Sequence, residues 1–228
     1  MANPWIPHIA SIAQSINSAG VPCILWGHCL LNLHGIPSII GSIDFVIPDQ
    51  SLMVSTKQLS QLSYLEPCTD QETCPCSSPE QYTPLPAFHM HLKDSDVTMA
   101  LYLQSETFWF LPPLNKELVF PTKHKLPEYF LTASDQDLVI VPKSHVLLEA
   151  FMRLYARDSG TRIGAFAMPM IGYVEEYVDE DGYLDTDKLP MPLRGQYLKL
   201  REGTEPVRRW TRELRHSLGI QEDNSDCD

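Results

Sequence analysis

The chain has 228 residues, of which 43% are hydrophobic and 20% charged, a balance that excludes a wholly disordered protein and fits one domain or two small ones. Seventeen basic residues against 29 acidic ones give a formal net charge of −12. That argues against broad capture of nucleic acid, whose affinity comes largely from phosphate neutralisation by Lys and Arg, while a nucleotide or another small molecule remains compatible as partner.

The start, MANPWIPHIASIAQ, has no basic cluster and no long apolar run, and nowhere is there a run of about 18 apolar residues, so no membrane span is expected and the expected location is cytoplasmic. The six cysteines are scattered, and Cys23 and Cys29 fall in apolar segments, which points to reduced thiols in place of a disulfide framework. Residues 4–17 carry Ile6, Ile9, Ile12, Ala13 and Ile16 near one helical face, and Gly20 stands where a stop belongs. Next comes VPCILWGHCLLNLHGIPSIIGSIDFVIPD over 21–49. A short apolar run meets Gly27, an amphipathic segment follows, Gly35 and Pro37 end it, and a second apolar run carries Asp44. This predicts strand, turn, short helix, loop and strand.

Asp49 is expected to cap a helix reaching Leu62. Residues 66–86, rich in Pro, Ser, Thr and Cys, have no apolar period and predict a loop. In the strand FHMHL that follows, His89 and His91 share one face because side chains alternate. Cys68, Cys74, Cys76, His89 and His91 supply sulfur and nitrogen of the kind zinc takes, but their spacing matches no standard ribbon or finger, so no stoichiometric zinc is expected. Residues 97–103 and 108–111 read as strands around a polar turn at 104–106, with Trp109 and Phe110 in the core. Residues 115–141 predict two short strands and a connecting loop.

From Pro142 the pattern turns helical: KSHVLLEAFMRLYARD, then 164–178, then LRGQYLKLREGT and EPVRRWTRELRHSLG with Gly219 as a stop. The acidic run DEDGYLDTD lacks the glycine and glutamate spacing of a calcium loop and reads as a solvated helix end. Arg208, Arg209, Arg212 and Arg215 form a dense basic patch, expected to pair with carboxylates. The expected organisation is an α/β domain over 1–141, a helical region over 142–219 and a disordered acidic tail over 220–228.

A glycine between strand and helix lets a phosphate approach the backbone, and a carboxylate on the next strand could hold the bridging metal. In this the chain resembles the nucleotidyltransferase superfamily, whose motif is a hydrophobic strand, Gly, Gly or Ser, and later Asp-x-Asp within a strand. Gly27 matches the first glycine and Asp44 the second aspartate. His28 stands at the second small position, Ser42 at the first aspartate, and Ala100 where a later strand carries the third carboxylate. The resemblance implies an α/β (α+β) fold, a nucleotidyltransferase-like mixed sheet with flanking helices, followed by a helical C-terminal region. It also implies a site in which Gly27 and His28 meet a nucleotide, Asp44 holds the metal, and Ser42 and His28 take the remaining catalytic positions. With one carboxylate in place of three, binding of Mg2+ and NTP is expected to be weak. Two function classes follow: a catalytically weak or inactive nucleotide- or small-molecule-binding protein on this scaffold, or an active transferase moving an NMP group to a small-molecule or protein acceptor, with Asp49 or Asp96 lending a second carboxylate and His28 acting as base or phosphate contact.

Overall fold

The computed structural model describes residues 5–69, 74, 76, 84–119, 126–133 and 139–221. The chain divides into two compact units, the first running to Lys143 apart from Tyr82–Pro84, which group with the second, and the second otherwise beginning at Ser144. The fold class is mixed α/β: a seven-stranded mixed sheet with flanking helices, and a set of C-terminal helices.

In the first unit, helix α1 (Ile6–Ser18) buries Ile9, Ile12, Ala13 and Ile16, the stripe that its sequence period lays down. Strand β1 (Ile24–Trp26) is buried throughout and runs directly into α2 (Gly27–Leu33). Strand β2 (Ser42–Ile47), α3 (Leu52–Leu59), β3 (Leu65–Pro67), β4 (Phe88–Leu92), β5 (Thr98–Leu103), a single turn α4 (Gln104–Thr107), β6 (Phe130–Thr132) and β7 (Ile140–Pro142) complete the unit. The strand order is β3-β4-β5-β2-β1-β7-β6. β2 runs parallel to β5 and β1 parallel to β7, while the other neighbours are antiparallel.

Four expectations need correction. Asp49 caps no helix with its side chain; it opens a 3-10 turn, its carboxylate accepts from Ser105 N at 3.1 Å, and α3 ends at Leu59, short of Leu62. Glu66 and Pro67 belong to β3, paired with His91 and Met90, because cross-strand hydrogen bonds decide there where local pattern is silent. Residues 108–111 form no strand. Buried Gln104 opens α4 and its amide binds the following turn, donating to Pro112 O at 3.0 Å and accepting from Leu114 N at 3.0 Å. Trp109, at 36% exposure, is thereby kept out of the core, while Phe108 is fully buried against Trp26 with ring centroids 4.9 Å apart. The expected strand pair between 115 and 141 is β6 with β7. Much of the expected 66–86 loop, and residues 222–228 of the expected tail, lie outside the described residues.

In the second unit, α5 (Ser144–Asp158) packs on α6 (Arg162–Val174), which continues as a π turn over Glu175–Asp179. α7 (Leu193–Glu202) ends at Gly203 in the left-handed region, and α8 (Val207–Ser217) follows. Buried Trp210 stacks on Tyr155, and its indole donates to Gln196 O at 2.8 Å, pinning α8 to α7 and α5. Asp179, Asp185 and Asp187 of the acidic stretch are engaged: Asp179 by Tyr197 and Arg201, Asp185 by Lys188 and the backbone of Asp187, and Asp187 by Arg194. Arg209 pairs with Glu213 and Glu205, whereas Arg215 binds the backbone of Ala156 and Gln221 and the Ser159 hydroxyl. Among the described residues no helix is long and apolar enough to cross a membrane.

Replacing Gln104 with Leu leaves the Leu114 N–H and the Pro112 carbonyl without this buried partner. The expected loss is about 1–3 kcal/mol of unfolding free energy, read from chemical denaturation. A variant as stable as wild type would show that the amide does not hold this turn.

Candidate functional site around Asp44

Antiparallel pairing of β1 with β2 sets Trp26 opposite Asp44, so the carboxylate lies beside the turn from β1 into α2. Gly27 occupies that turn with φ +64°, the left-handed region that a side chain disfavours. Space imposes a second requirement: a Cβ on Gly27 would run into the Asp44 carboxylate. Glycine is thus demanded twice, by conformation and by the close approach.

Asp44 is only 4% exposed. Ser42, two residues earlier and therefore on the same face of β2, donates from Oγ to Asp44 Oδ2 at 2.9 Å. Asp44 Oδ1 is buried with no hydrogen-bond partner among the described residues. Burial raises this carboxyl from its ordinary 3.8 to about 7, only partly opposed by the Ser42 hydrogen bond. Beneath the turn, Cys29 donates to Ser42 O at 3.4 Å; burial, and then the neighbouring Asp44, push its thiol up to about 12. That cysteine is a packing group, not a nucleophile.

His28 is half-buried, with Nδ1 hydrogen-bonded to Ser38 Oγ. Asn32 closes the same loop, donating to Ser38 O at 3.0 Å and to His28 O at 3.2 Å. Burial lowers the His28 pKa and favours the neutral imidazole over a cation. The structure therefore brings Gly27, Ser42 and Asp44 into contact and binds His28 to the following loop.

Register extends the site across the sheet. β5 sets Thr98 beside Ser42 and Ala100 beside Asp44, and β4 sets His91 beside Thr98 and His89 beside Ala100. Cross-strand partners share a face, so two rows cross three strands: Asp44, Ala100, His89 and Ser42, Thr98, His91. At roughly 4.8 Å per strand, the Asp44 and His89 backbones are about 10 Å apart. Cys76 Sγ lies 3.1 Å from Thr98 Oγ1 on this face, and Cys74 Sγ lies 3.3 Å from His89 Nε2 and 3.5 Å from His91 Nε2. The thiol or imidazole donor atoms of Cys68, Cys74, His89 and His91 all fall within 4.8 Å of one another. No disulfide joins the described cysteines.

No protein-family model, curated protein or solved structure matches the chain.

The residues around Asp44 do not fit a Mg2+–nucleotide centre, which needs charged oxygen ligands in octahedral array. Ser42 spends its proton on Asp44, and Ala100 has no donor atom at the position beside it. Asp49 and Asp96 lie elsewhere. Asp49 is five residues along from Asp44, roughly 16 Å at strand rise, and is held by Ser105. Asp96 is exposed in the turn before β5, four residues from Ala100. Thr98 has no signal of its own in the sequence, since only pairing with β2 places it beside Ser42. A surface hollow of about 810 Å³ in the second unit, lined by Gln196, Arg212, Glu213 and His216 among others, contains none of the predicted site residues.

Two measurements probe this geometry. Gly27→Ala is expected to lose more than the roughly 1–2 kcal/mol that a left-handed backbone alone costs, and Asp44→Ala in the same chain to return the excess, because the collision is with the carboxylate. Purely additive losses would remove the close approach from the account. Between about pH 4 and pH 7 folded Asp44 retains a proton that its unfolded counterpart has released, so stability falls as pH rises through that window and the penalty is complete above it. The rise from 3.8 to about 7 corresponds to about 4 kcal/mol, and Asp44→Asn should flatten the stability profile by that order. Parallel profiles for the two proteins would show that Asp44 titrates normally.

Proposed function

We propose that this chain is a nucleotidyltransferase-like protein that binds a nucleotide or another small molecule and does not transfer nucleotides. The observation that carries the reading is the pairing of Asp44 with Ala100. The strand on which the superfamily's third carboxylate is expected lies directly beside β2, with an apolar methyl at that position. Ser42 removes a further carboxylate, and the remaining one is buried and half-protonated near neutral pH. Nucleotidyl transfer needs paired divalent ions to clamp the phosphates and activate the attacking hydroxyl, and one carboxylate, with a serine at 42 and an alanine at 100, supplies too few charged oxygen ligands for them. Further support comes from the turn at Gly27, where strand, glycine and short helix follow the motif in order. The net charge of −12 favours a small ligand over a nucleic acid.

Calorimetry with ATP, GTP, CTP and UTP, with and without Mg2+, joined to a pyrophosphate-release assay, tests the proposal. The expected result is no pyrophosphate release, binding that Mg2+ does not strengthen, and a gain in Mg2+-dependent affinity of roughly tenfold, about 1.4 kcal/mol, in Ser42→Asp. Pyrophosphate release by wild type that Asp44→Ala abolishes would overturn it in favour of the active transferase.

A further inference from the structure

We propose that Cys68, Cys74, His89 and His91 form a structural zinc site on the sheet face that carries Asp44. The site rests on these four residues alone and stands whether or not the Asp44 face binds a nucleotide.

Three elements of the chain converge to make it. His89 and His91 alternate along β4 and so project from one face. β3 pairs antiparallel with β4, Glu66 with His91 and Pro67 with Met90, and continuing that register by one residue sets Cys68 beside His89. Cys74 comes from the segment between the strands and is 4% exposed, its sulfur turned to both imidazoles. The four donor atoms lie within 4.8 Å of one another.

The distances have the scale of a coordination polyhedron. With zinc–sulfur bonds of about 2.3 Å and zinc–nitrogen bonds of about 2.0–2.1 Å, a tetrahedral edge from sulfur to nitrogen is about 3.6 Å. Cys74 Sγ lies 3.3 Å and 3.5 Å from the two Nε2 atoms. A thiol has one proton and can donate to one of those nitrogens; four soft donors converging on one point is what a metal explains and a single thiol–imidazole hydrogen bond does not. Two thiolates and two imidazoles favour zinc over the oxygen-seeking divalent ions.

The binding balances in charge and protons. Zn2+ takes two thiolates and two neutral imidazoles, the Cys68 and Cys74 thiols release two protons to solvent, and the assembled centre is neutral. Four protein ligands leave no open position, so the metal is structural and activates no water. Its work is to hold Cys74 on the sheet, where the nearby Cys76 meets Thr98, the register partner of Ser42. This reverses the expectation from spacing. The known fingers and ribbons take their ligands at fixed local intervals, whereas here a strand pairing brings them together.

Zinc content of the full-length protein, purified without chelator from zinc-supplemented medium, is measured by mass spectrometry of the metal, with Co2+ exchanged into a second sample. The expected result is one zinc per chain, the visible d–d bands of tetrahedral Co2+ with near-ultraviolet thiolate charge transfer, and loss of both in Cys74→Ser and His91→Ala. Cys76→Ser should retain the metal. Since the first two variants could lose metal through misfolding, wild type is also stripped and reloaded: return of the cobalt spectrum in folded protein supports the site. Metal-free wild type with no tetrahedral cobalt spectrum overturns the proposal, as does a bound metal that Cys74→Ser leaves in place or Cys76→Ser removes.

Discussion

A carboxylate enclosed in a protein interior must be paired, hydrogen-bonded or neutral, and Asp44 has one donor from Ser42 and no described cation beside it. The first unit is arranged around that constraint. The carboxylate takes the space a side chain at Gly27 would fill, at the junction where β1 turns into α2 with a left-handed residue. Cys29, two residues further on, is left in a position where ionisation is opposed first by burial and then by the same carboxyl. One strand position therefore limits the preceding turn to glycine, adds to the burial that keeps a thiol protonated, and holds the site's one buried acid.

The sheet turns residues that are far apart in the chain into neighbours. Ser42, Thr98 and His91 come from three strands, yet the parallel pairing of β2 with β5 and the antiparallel pairing of β4 with β5 place them in one row. A residue slip in either pairing would send one member of each row to the opposite face. The Asp44 site and the Cys–His cluster consequently share a surface through register, without a direct bond between Asp44 and either histidine.

What could be read from the sequence divides along the same line. The α1 stripe, the strand–glycine–helix junction, α5 and the short strands β6 and β7 carry their information locally, in apolar period or in a single glycine, and the Ser42–Asp44 pair follows from alternation within one strand. The turn after β5 was hidden because a buried amide at Gln104 competes with strand pairing, and no apolar pattern reports a side chain bonded to the backbone eight and ten residues on. β3 is short and bears Glu66 and Pro67, so only its partner reveals it. The histidine pair and the candidate cysteines were legible; which of the cysteines meet the histidines was not, since spacing in the chain has no fixed relation to spacing across a sheet.

The Cys–His cluster and the Asp44 site on this face are electrostatically separate. A zinc with two thiolates is neutral, so it offers no net charge to stabilise an Asp44 anion about 10 Å away. Burial is the largest influence on Asp44, and the one hydrogen bond from Ser42 only partly opposes it. An aspartate at position 42 or 100 would face Asp44 across a few ångströms in a dry setting, where two like charges cannot both persist without a metal between them. Ser42 and Ala100 remove that repulsion. With no second carboxylate beside it, the face can close over a single protonatable carboxyl, which links the absence of neighbouring charge, the burial of Asp44 and the close packing of Gly27 in one physical account.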